Sequence, residues 1–319
     1  MRITLVHNPD AGEGQQSAAT LRRQLAEAGH EVARTVSDKK LARSLKEPAD
    51  LVVVAGGDGS VKRVVLALAG HKIPLAILPL GTANNIAKSL GVLGSVPELA
   101  SGWTIAQRRV LQIGSARTPE GVTRFIESVG VGVFTELVTR GRTEVEDGST
   151  GLTGHAIDRA LLLLERIARE HPARPRRLML DGHDLSGEYL LVEAMHMPLI
   201  GPNVPLAPAA DCSDGLLDVV TVSEGERRLL ADYARARLTG EAAGLALPIQ
   251  RGMEVRMEAS PEELHVDDDA WEAEDTGGGT QAELSEGEVS IAVDAPAVEV
   301  LAPAPAPRLP SANSAAGGS

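Results

Sequence analysis

The sequence has very few of the residues on which several common kinds of site depend. Its 319 residues include one cysteine, Cys212, and aromatic residues make up 2% of the chain. A single cysteine excludes an internal disulfide and a cysteine-based metal cluster. Because aromatic residues are scarce, the hydrophobic cores must be built from leucine, valine, isoleucine and alanine. Trp103 and Trp271 also lack the aromatic neighbours in sequence that a stacking platform would need.

Long apolar runs and positive charge are scarce as well. No apolar run approaches the roughly 18 residues that a membrane-spanning helix needs, and the opening residues, MRITLVHNPD, lack the pattern of a signal peptide. We therefore expect a cytoplasmic protein, and leave open a peripheral association with the inner membrane surface. The net charge of −13 argues against a nucleic-acid partner. Local arginine clusters at residues 174–177 and 227–237 predict either a solvated surface or a membrane-docking patch.

The first third of the chain alternates short strand-like runs with amphipathic segments. The strand-like runs are residues 3–6, 31–35, 51–55 and 73–78. The last two are apolar and bounded by glycine-bearing turns, which predicts buried strands of a parallel sheet. The βαβαβαβ alternation predicts helices on both faces of that sheet. We assign residues 1–108 to this three-layer α/β domain.

The pattern changes after about residue 108. The clearest strand-like runs that follow are residues 110–115, 123–130 and 189–197. Residues 157–170 (IDRALLLLERIARE) are typical of an isolated helix. Many short strands with one or two helices predict a mainly antiparallel, β-sandwich-like second domain at residues 109–301. Residues 302–319 are rich in alanine, proline and serine, which predicts a disordered tail.

The sequence GGDGS at residues 56–60 follows the third strand-like run. Its glycines let the backbone approach a ligand closely and adopt positive φ. Successive N–H groups at the start of a helix form an anion-binding nest that suits phosphate. Asp58 inside this nest would repel phosphate unless a cation lay between them, which predicts Mg²⁺. The alternative is that these residues simply form a tight strand-to-helix turn.

A second polar turn, PLGTANN at residues 79–85, follows the next run. Gly81, Thr82 and Asn84 offer a backbone amide, a hydroxyl and a side-chain amide. The carboxyl ends of neighbouring parallel strands lie at one sheet edge, where α/β folds bind their ligands. Two such turns are hard to explain by packing alone. The chain contains neither GxxxxGK followed by Ser or Thr, nor GxGxxG, so the common nucleotide fingerprints do not apply.

Four motifs occur in a characteristic order: Asn8-Pro9 followed by Gly12, then GGDGS, then PLGTANNIAKSLG at residues 79–91, then DGLLDV at residues 214–219. This order resembles the diacylglycerol kinase catalytic-domain family. It is most similar to the soluble bacterial lipid kinases, which are relatives of sphingosine kinase and more distant relatives of NAD kinase and phosphofructokinase. The resemblance covers roughly residues 1–301. It implies a two-domain fold with ATP in the cleft, and transfer of the γ-phosphoryl group to a lipid hydroxyl.

The resemblance also implies particular site residues. The residues matching nucleotide-binding positions are Asn8, Thr35, Gly56, Gly57, Asp58, Gly59, Ser60, Gly81, Thr82 and Asn84. The residues matching a structural magnesium site in the second domain are Asp211, Asp214 and the backbone of Leu216.

The general base of the family lies in a DGE motif, which is matched here by residues 267–269. Asp269 then stands where the base would be, with Asp267 beside it, and together with Asp58 these are the predicted catalytic residues. The chemistry requires a carboxylate there to accept the proton of the lipid hydroxyl. The alternative is that residues 267–269 are an acidic hairpin tip.

Several acidic residues of the family pattern are missing. Lys62 and Arg63 occupy the place of a glutamate in the helix after GGDG, and Asn85 and Gln112 stand where aspartates are expected. The glycine and the glutamate of DGE are both aspartate here. Either Mg²⁺ is held by fewer protein ligands plus water, which that ion tolerates, or the activity is weak or absent.

These observations support three hypotheses about function. The leading one is an ATP- and Mg²⁺-dependent kinase for a diacylglycerol-type lipid presented at a membrane surface. The second is a catalytically silent, nucleotide- or lipid-binding regulator, which the missing acidic residues favour. The third is a kinase for a soluble acceptor, as in NAD kinase, against which PLGTANN and DGLLDV count. The sequence does not identify the lipid, and it leaves a homodimer open.

Overall fold

A computed structural model of the chain describes residues 1–9, 16–37, 40–45, 47, 49–146, 156–241, 244–273, 284–285 and 287–303. The predicted tail at residues 302–319 lies outside the described residues from position 304 onward. No helix within the described ranges is both long enough and apolar enough to cross a membrane.

Parallel strands with helices on both faces make up the first domain, as predicted. Its elements in chain order are β1 (Arg2–His7), α1 (Ala18–Glu27), β2 (Glu31–Val36), α2 (Leu41–Ser44), β3 (Leu51–Gly56), α3 (Asp58–Leu68), β4 (Leu75–Pro79), α4 (Asn85–Ser89) and α5 (Val96–Gly102). The strand order is β4-β3-β1-β2, and every neighbouring pair is parallel.

The two faces of β3 contribute to two separate cores. Val52 packs in one cluster with Val64 of α3, whereas Val53 packs in another with Leu25 of α1. Successive strand residues point to opposite faces of a sheet, so a strand covered on both sides must be apolar throughout. All six residues of β3 are buried. The three-layer arrangement is therefore confirmed.

The second domain is built mainly from antiparallel strands. Its elements are β5 (Gln107–Thr118), β6 (Gly121–Phe125), β7 (Ser128–Gly132), α6 (Val133–Glu146), α7 (Ala156–Glu170), β8 (Arg174–Arg176), β9 (Leu178–Leu180), β10 (His183–Asp184), β11 (Gly187–Tyr189), β12 (Leu191–Met195), β13 (Leu217–Val222), α8 (Arg227–Thr239), β14 (Ile249–Gly252), β15 (Glu254–Glu258), β16 (Leu264–Val266), β17 (Asp269–Ala270) and β18 (Glu288–Ala302). Strands β14-β13-β12-β7-β16-β17 form an antiparallel sheet in that order.

This six-stranded sheet is the middle layer of the second domain. One face packs against the sheet that contains β15 and β18, and the shared core includes Val192 and Ile291. The other face packs against α6, α7 and α8, with Leu164 and Leu230 in the contact. The sandwich-like arrangement is confirmed. The helix predicted at residues 157–170 is present as α7, but it is not isolated, since it packs against α6 and α8.

One continuous sheet runs through both domains. Strand β18 is antiparallel to β5 over most of its length, and Val300 near its end pairs in parallel with Leu75 of β4. The ten-stranded sheet therefore extends from β10 in the second domain to β2 in the first. The end of β18 thus returns the chain to the first domain, and β5 begins at Gln107, close to the boundary predicted near residue 108. That boundary stays a prediction.

The strand predicted at residues 123–130 is in fact two strands, β6 and β7. At the break, the N–H groups of Ile126, Glu127 and Ser128 donate to the carboxylate of Asp267, at distances between 2.7 and 3.2 Å. These amides therefore face a side chain rather than a neighbouring strand. The sequence carries no local signal for this break, because Asp267 is 140 residues away from Glu127 along the chain.

Candidate functional site

The turn after β3 and the turn after β4 are in backbone contact. The N–H of Leu80 donates to the carbonyl of Gly56 at 3.0 Å. A Cβ added to Gly81 would lie 2.4 Å from the Cα of Gly57. No side chain fits at that distance, so the two glycines permit the contact. The two polar turns therefore form one surface at the carboxyl edge of the parallel strands, where α/β folds bind ligands.

Asp58, the first residue of α3, reaches from the first turn to the start of α4. It is 7% exposed, and its Oδ1 accepts the N–H of Ile86 at 2.9 Å. Burial raises the pKa of Asp58, and the nearby N–H groups of Ile86, Asn85 and Asn84 oppose that rise. The carboxylate thus ties the two turns together, in addition to the catalytic role predicted for it.

The side chain of Asn84 forms hydrogen bonds within the second turn. Its backbone is left-handed, with φ at 52°, a conformation that asparagine adopts more readily than most residues. Its side-chain amide accepts the N–H of Gly81 at 2.9 Å and donates to the carbonyl of Gly81 at 2.7 Å. These contacts favour a role for Asn84 in shaping the turn. Thr82 lies within the same turn and is exposed, so its hydroxyl is accessible to a ligand.

Asn8 and Ser60 extend the surface toward β1. The Nδ2 of Asn8 donates to the Oγ of Ser60 at 3.1 Å, and Arg63 donates to the same oxygen at 3.4 Å. Thr35 lies on β2, which pairs with β1. Its buried hydroxyl has no hydrogen-bond partner in the part of the chain that the structure describes. The predicted nucleotide-binding residues other than Thr35 are therefore brought together on one surface.

Three carboxylates from distant parts of the chain meet beside this surface. One oxygen of each of Asp58, Glu127 and Asp268 lies within 4.8 Å of the others. Glu127 is 3% exposed, whereas Asp268 is an exposed residue whose carboxyl group is turned toward the other two. Burial, followed by the charges of Asp268 and Asp58, raises the pKa of Glu127 well above its usual value. Burial, followed by the charge of Asp58, raises the pKa of Asp268 to about 7.

Sequence reasoning missed Glu127 and assigned no role to Asp268. The signal for Glu127 was available, because an acidic residue interrupts the apolar run FIESVGV at residues 125–131. Acidic residues are almost never fully buried unless they are paired or functional. Asp268 was identified only as the replacement for the glycine of DGE. A set of carboxylate oxygens at this spacing suits a hard divalent cation such as Mg²⁺.

Asp267 anchors the hairpin between β16 and β17. Its φ of 55° is left-handed, and its carboxylate accepts three backbone N–H groups at the break between β6 and β7. The same carboxylate lies 2.9 Å from the Nζ of Lys62 on α3. These contacts favour an anchoring role for Asp267. Asp269 is an exposed residue of β17 that pairs with Val266, and its role as the general base stays a prediction.

Replacing Lys62 with methionine is expected to destabilise the fold by about 3 kcal/mol. The side chains of Lys62 and Asp267 are 14% and 4% exposed, so removing the ammonium leaves a buried carboxylate without its counter-charge. Urea unfolding measures the change, and the double variant with Asp267→Asn should recover part of it. Lys72→Met, at an exposed lysine, is the matched control. Equal stability of the two single variants would contradict a structural ion pair.

A hydrogen bond from Asn85 connects α4 to the second domain. Its Nδ2 donates to the carbonyl of Gly201 at 2.9 Å, and Lys88 on the same helix donates to the Oδ1 of Asn203 at 2.5 Å. An aspartate at position 85 could not donate to that carbonyl. The amide that replaces the expected aspartate therefore makes a contact between the domains, which gives the substitution a physical reason.

The predicted structural magnesium loop lies before β13, and arginines face its carboxylates. Arg251 on β14 contacts Asp214 and also lies 3.3 Å from the buried Asp218. Asp211 accepts two hydrogen bonds from Ser213, at 3.1 Å and 2.6 Å, and lies 4.0 Å from a nitrogen of Arg109.

Other atoms of this loop hold its backbone. The N–H of Leu216 donates to Asp214 at 3.0 Å, and Gln112 accepts the N–H of Gly215 at 2.8 Å. The carboxylate of Asp214 is thus shared between a guanidinium and a backbone amide. A cation bound here would have to share the Asp214 carboxylate with Arg251. That site stays a prediction.

A buried ion pair between His265 and Glu193 contacts the backbone of the hairpin. The Nε2 of His265 lies 3.0 Å from Glu193, and its Nδ1 lies 3.0 Å from the carbonyl of Asp267. Both side chains are at most 1% exposed. Burial pulls the pKa of His265 down, but Glu193 and the Asp267 carbonyl outweigh it, so the pKa is raised above its usual value. A protonated ring can donate to both partners at once.

The free energy of unfolding is expected to fall as the pH rises from about 6.5, the usual histidine pKa, through the raised pKa of His265. Because the pKa of His265 is higher in the folded protein than in the unfolded chain, protonation of His265 stabilises the fold. That stabilisation is complete below the pKa of the unfolded state and is lost once the pH exceeds the pKa of the folded state. Urea unfolding at a series of pH values measures this. His265→Gln keeps a donor but cannot titrate, so its pH dependence should be shallower. Identical slopes for the two proteins would contradict the assignment.

Comparisons with known proteins agree with the arrangement of motifs and domains. Residues 2–116 match the family model of the diacylglycerol kinase catalytic domain. Residues 151–282 match that of the YegS C-terminal NAD kinase beta sandwich-like domain. The first match contains both polar turns, and the second contains the hairpin with Asp267 and Asp268.

Individual proteins that are similar to this chain have names that agree with these two family models. The chain is 31% identical over 225 residues to a "Probable lipid kinase YegS-like" from Pseudomonas aeruginosa, which covers 68% of this chain and 70% of that protein. It is 27% identical over 243 residues to a diacylglycerol kinase from Mycobacterium tuberculosis, covering 72% and 75% of the two chains. A crystal structure of a diacylglycerol kinase from Bacillus anthracis has the same fold, with a TM-score of 0.62, 19% identity, and coverage of 94% and 96%.

Proposed function

Since the chain belongs to the diacylglycerol kinase catalytic-domain family, we propose that it transfers the γ-phosphoryl group of ATP to the hydroxyl of a diacylglycerol-type lipid, with Mg²⁺ as cofactor. One observation carries this proposal. The carboxylates of Asp58, Glu127 and Asp268 meet within 4.8 Å, where the two polar turns of the first domain face the hairpin of the second. Phosphoryl transfer needs positioning and charge neutralisation at one point, and this cluster supplies such a point.

The two turns are the proposed binding site for the ATP phosphates. The backbone of residues 56–60 enters α3, whose N-terminus has no side-chain cap within the described part of the chain, and the N-terminus of a helix can bind an anion. Thr82 is exposed at the neighbouring turn and can donate its hydroxyl to a phosphate oxygen. Gly57 and Gly81 keep side chains out of the contact between the turns. The nucleotide would therefore be held mainly by backbone groups.

The carboxylates beside the turns are the proposed binding site for the cation. Mg²⁺, when bound, neutralises the charge on the transferred phosphoryl group. The N–H of Ile86 orients the carboxylate of Asp58. The backbone of Glu127 is fixed on both sides, because its N–H donates to Asp267 and its carbonyl accepts from the N–H groups of His196 and Met197. Fixed carboxylates of this kind need little reorganisation when a cation binds.

The hairpin is the proposed source of the general base. A bond forms between the lipid hydroxyl oxygen and the γ-phosphorus, the bond to the β-phosphate oxygen breaks, and the hydroxyl proton passes to a carboxylate. Asp269 stands at the base position of the motif and is exposed. Asp267 is engaged by three backbone N–H groups and by Lys62. We therefore assign the proton to Asp269.

A transfer assay tests the proposal. The purified protein, labelled ATP and Mg²⁺ are incubated with detergent micelles that contain diacylglycerol, monoacylglycerol or a sphingoid base. We expect labelled product in the diacylglycerol arm, and none with Asp58→Asn. Arms with NAD or a sugar phosphate and no detergent test a soluble acceptor. Absence of transfer above the Asp58→Asn level in every lipid arm, while ATP binds, would overturn the proposal.

A regulator without turnover is the second candidate. Two residues that stand where the family pattern has acids make contacts between the domains, and this favours the regulator. Lys62 pairs with Asp267, and Asn85 donates to the carbonyl of Gly201. Calorimetric titration with ATP and with lipid-containing vesicles, next to the transfer assay, separates the two candidates. Binding without turnover supports the regulator. Turnover that Asp269→Ala abolishes excludes it.

The acceptor would be presented at a membrane surface, and we propose a peripheral association at the cytoplasmic face. Part of the positive charge in the two arginine clusters is already paired with acidic residues of the same chain, which limits what it can contribute to membrane binding. Arg176 pairs with Glu263 at 2.6 Å, and Arg227 pairs with Glu224 at 2.7 Å. Vesicle co-sedimentation with and without diacylglycerol tests whether the acceptor itself recruits the protein. A homodimer stays a prediction.

A further inference from the structure

We infer that this chain holds its divalent cation with a relocated set of carboxylates, Asp58, Glu127 and Asp268, in place of the acidic residues missing from the motifs of its family. The inference rests on the proposed function, because it names the cation site of the same cleft.

The cluster has the geometry of a ligand set. One oxygen from each of the three carboxylates lies within 4.8 Å of the others. A cation bound near the middle would be within reach of all three after small side-chain movements, because Mg²⁺ and Ca²⁺ bind oxygen at about 2.0–2.6 Å. The three residues come from α3, from the break between β6 and β7, and from the hairpin tip. Both domains therefore contribute ligands.

Glu127 supplies an independent indication that a ligand is expected. The residue is 3% exposed, and the hydrogen bonds that it makes within the described part of the chain involve its backbone and not its carboxylate. Its backbone is held on both sides, by Asp267 and by His196, so the side chain is directed toward the cluster. A buried carboxylate without a hydrogen-bond donor is costly. The positive charge of Lys62, which lies 2.9 Å from Asp267, lowers the pKa of Glu127 by less than burial and the neighbouring carboxylates raise it. A cation at the cluster would add the positive charge that Lys62 supplies only in part.

The positions where acids are missing are occupied by other contacts. Asn85 donates to Gly201 across the domains, and Gln112 accepts the N–H of Gly215 in the loop before β13. Asp268, in contrast, is an acid where the family motif has glycine. One acidic position of the hairpin has thus been gained while others were lost. Together with Glu127, it restores negative charge around Asp58.

Manganese binding to the free protein tests the inference without ATP or lipid. Mn²⁺ is titrated into the full chain and the free ion is followed by electron paramagnetic resonance. We expect Glu127→Gln and Asp268→Gly to raise the Kd for Mn²⁺ by at least about 10-fold, and Asp232→Asn, at an exposed acid on α8, to leave it unchanged. Asp268→Gly removes the carboxylate and introduces the glycine that the family motif has at this position.

Melting in EDTA separates a ligand role from a structural one. Glu127→Gln removes a buried acid that is crowded by other carboxylates, so its Tm without metal should be equal to or above that of the wild type. A large loss of Tm would instead mark Glu127 as structural and overturn the inference. An unchanged Kd for Mn²⁺ in both cluster variants, or a loss of Mn²⁺ binding caused by Asp211→Asn alone, would also overturn it.

The outcomes distinguish this inference from the proposed function. Kinase activity together with an unchanged Kd in Glu127→Gln refutes the ligand set and leaves the function intact. Mn²⁺ binding that depends on Glu127 and Asp268, without transfer to any lipid, refutes the function and leaves the cation site intact.

Discussion

Replacing Asp58 with asparagine is expected to lower kcat for phosphoryl transfer by at least about a thousandfold while leaving the fold intact. The carboxylate is 7% exposed and lies where the two turns and the hairpin meet. Asparagine keeps an oxygen that can accept the N–H of Ile86, now 2.9 Å away. The substitution therefore removes the charge and retains the contact that ties the two turns together.

The measurement is single-turnover transfer of labelled phosphate, with unfolding in urea as the check on the fold. Asp232→Asn is the matched control, because Asp232 is exposed on α8 and pairs with Arg169 at 3.4 Å, away from the cleft. We expect full activity in that control. Activity of Asp58→Asn within about tenfold of the wild type would contradict the central role of the cluster.

Replacing Gly81 with alanine is expected to destabilise the protein by about 1–3 kcal/mol and to weaken ATP binding by at least about tenfold. The added Cβ would lie 2.4 Å from the Cα of Gly57 and 2.9 Å from the side-chain oxygen of Asn84. Neither neighbour is the free end of a long side chain, so the two turns must move apart. The surface proposed to bind the ATP phosphates would then lose its shape.

Gly59→Ala is the matched control, since it lies in the same motif but has room. Its added Cβ would meet nothing closer than an Arg63 nitrogen at 3.6 Å, and alanine is the better residue within a helix. Stability equal to or above that of the wild type is expected for this control. Urea unfolding and calorimetric ATP titration measure both variants. Equal behaviour of Gly81→Ala and Gly59→Ala would show that the contact between the turns is unimportant.

Local sequence patterns were sufficient for the fold class. The run at residues 51–55 is apolar at every position, and only a strand covered on both faces needs that. The structure has β3 buried throughout, between two separate cores. The alternation of short strands after residue 108 likewise indicated a sandwich, and two facing sheets are present. Burial periodicity is a local property, so the sequence carries it directly.

Local patterns were insufficient wherever a contact joins distant segments. The single strand predicted at residues 123–130 is divided, because its amides donate to Asp267. The helix at residues 157–170 was expected to be isolated, but its apolar faces are covered by α6 and α8. Asp267 and α8 lie far along the chain from the elements that they contact, so no window of sequence around those elements contains them.

Motif order and apolar patterning were enough to predict the two polar turns, the parallel sheet that presents them and the family to which the chain belongs. They were not enough to predict which acidic residues meet beside those turns. Asp267, which was predicted beside the base, also anchors the hairpin, and Glu127 and Asp268 join Asp58. The physical reason is that a carboxylate cluster depends on the relative placement of a helix, a strand break and a hairpin. That placement is set by the packing of two domains on one continuous sheet.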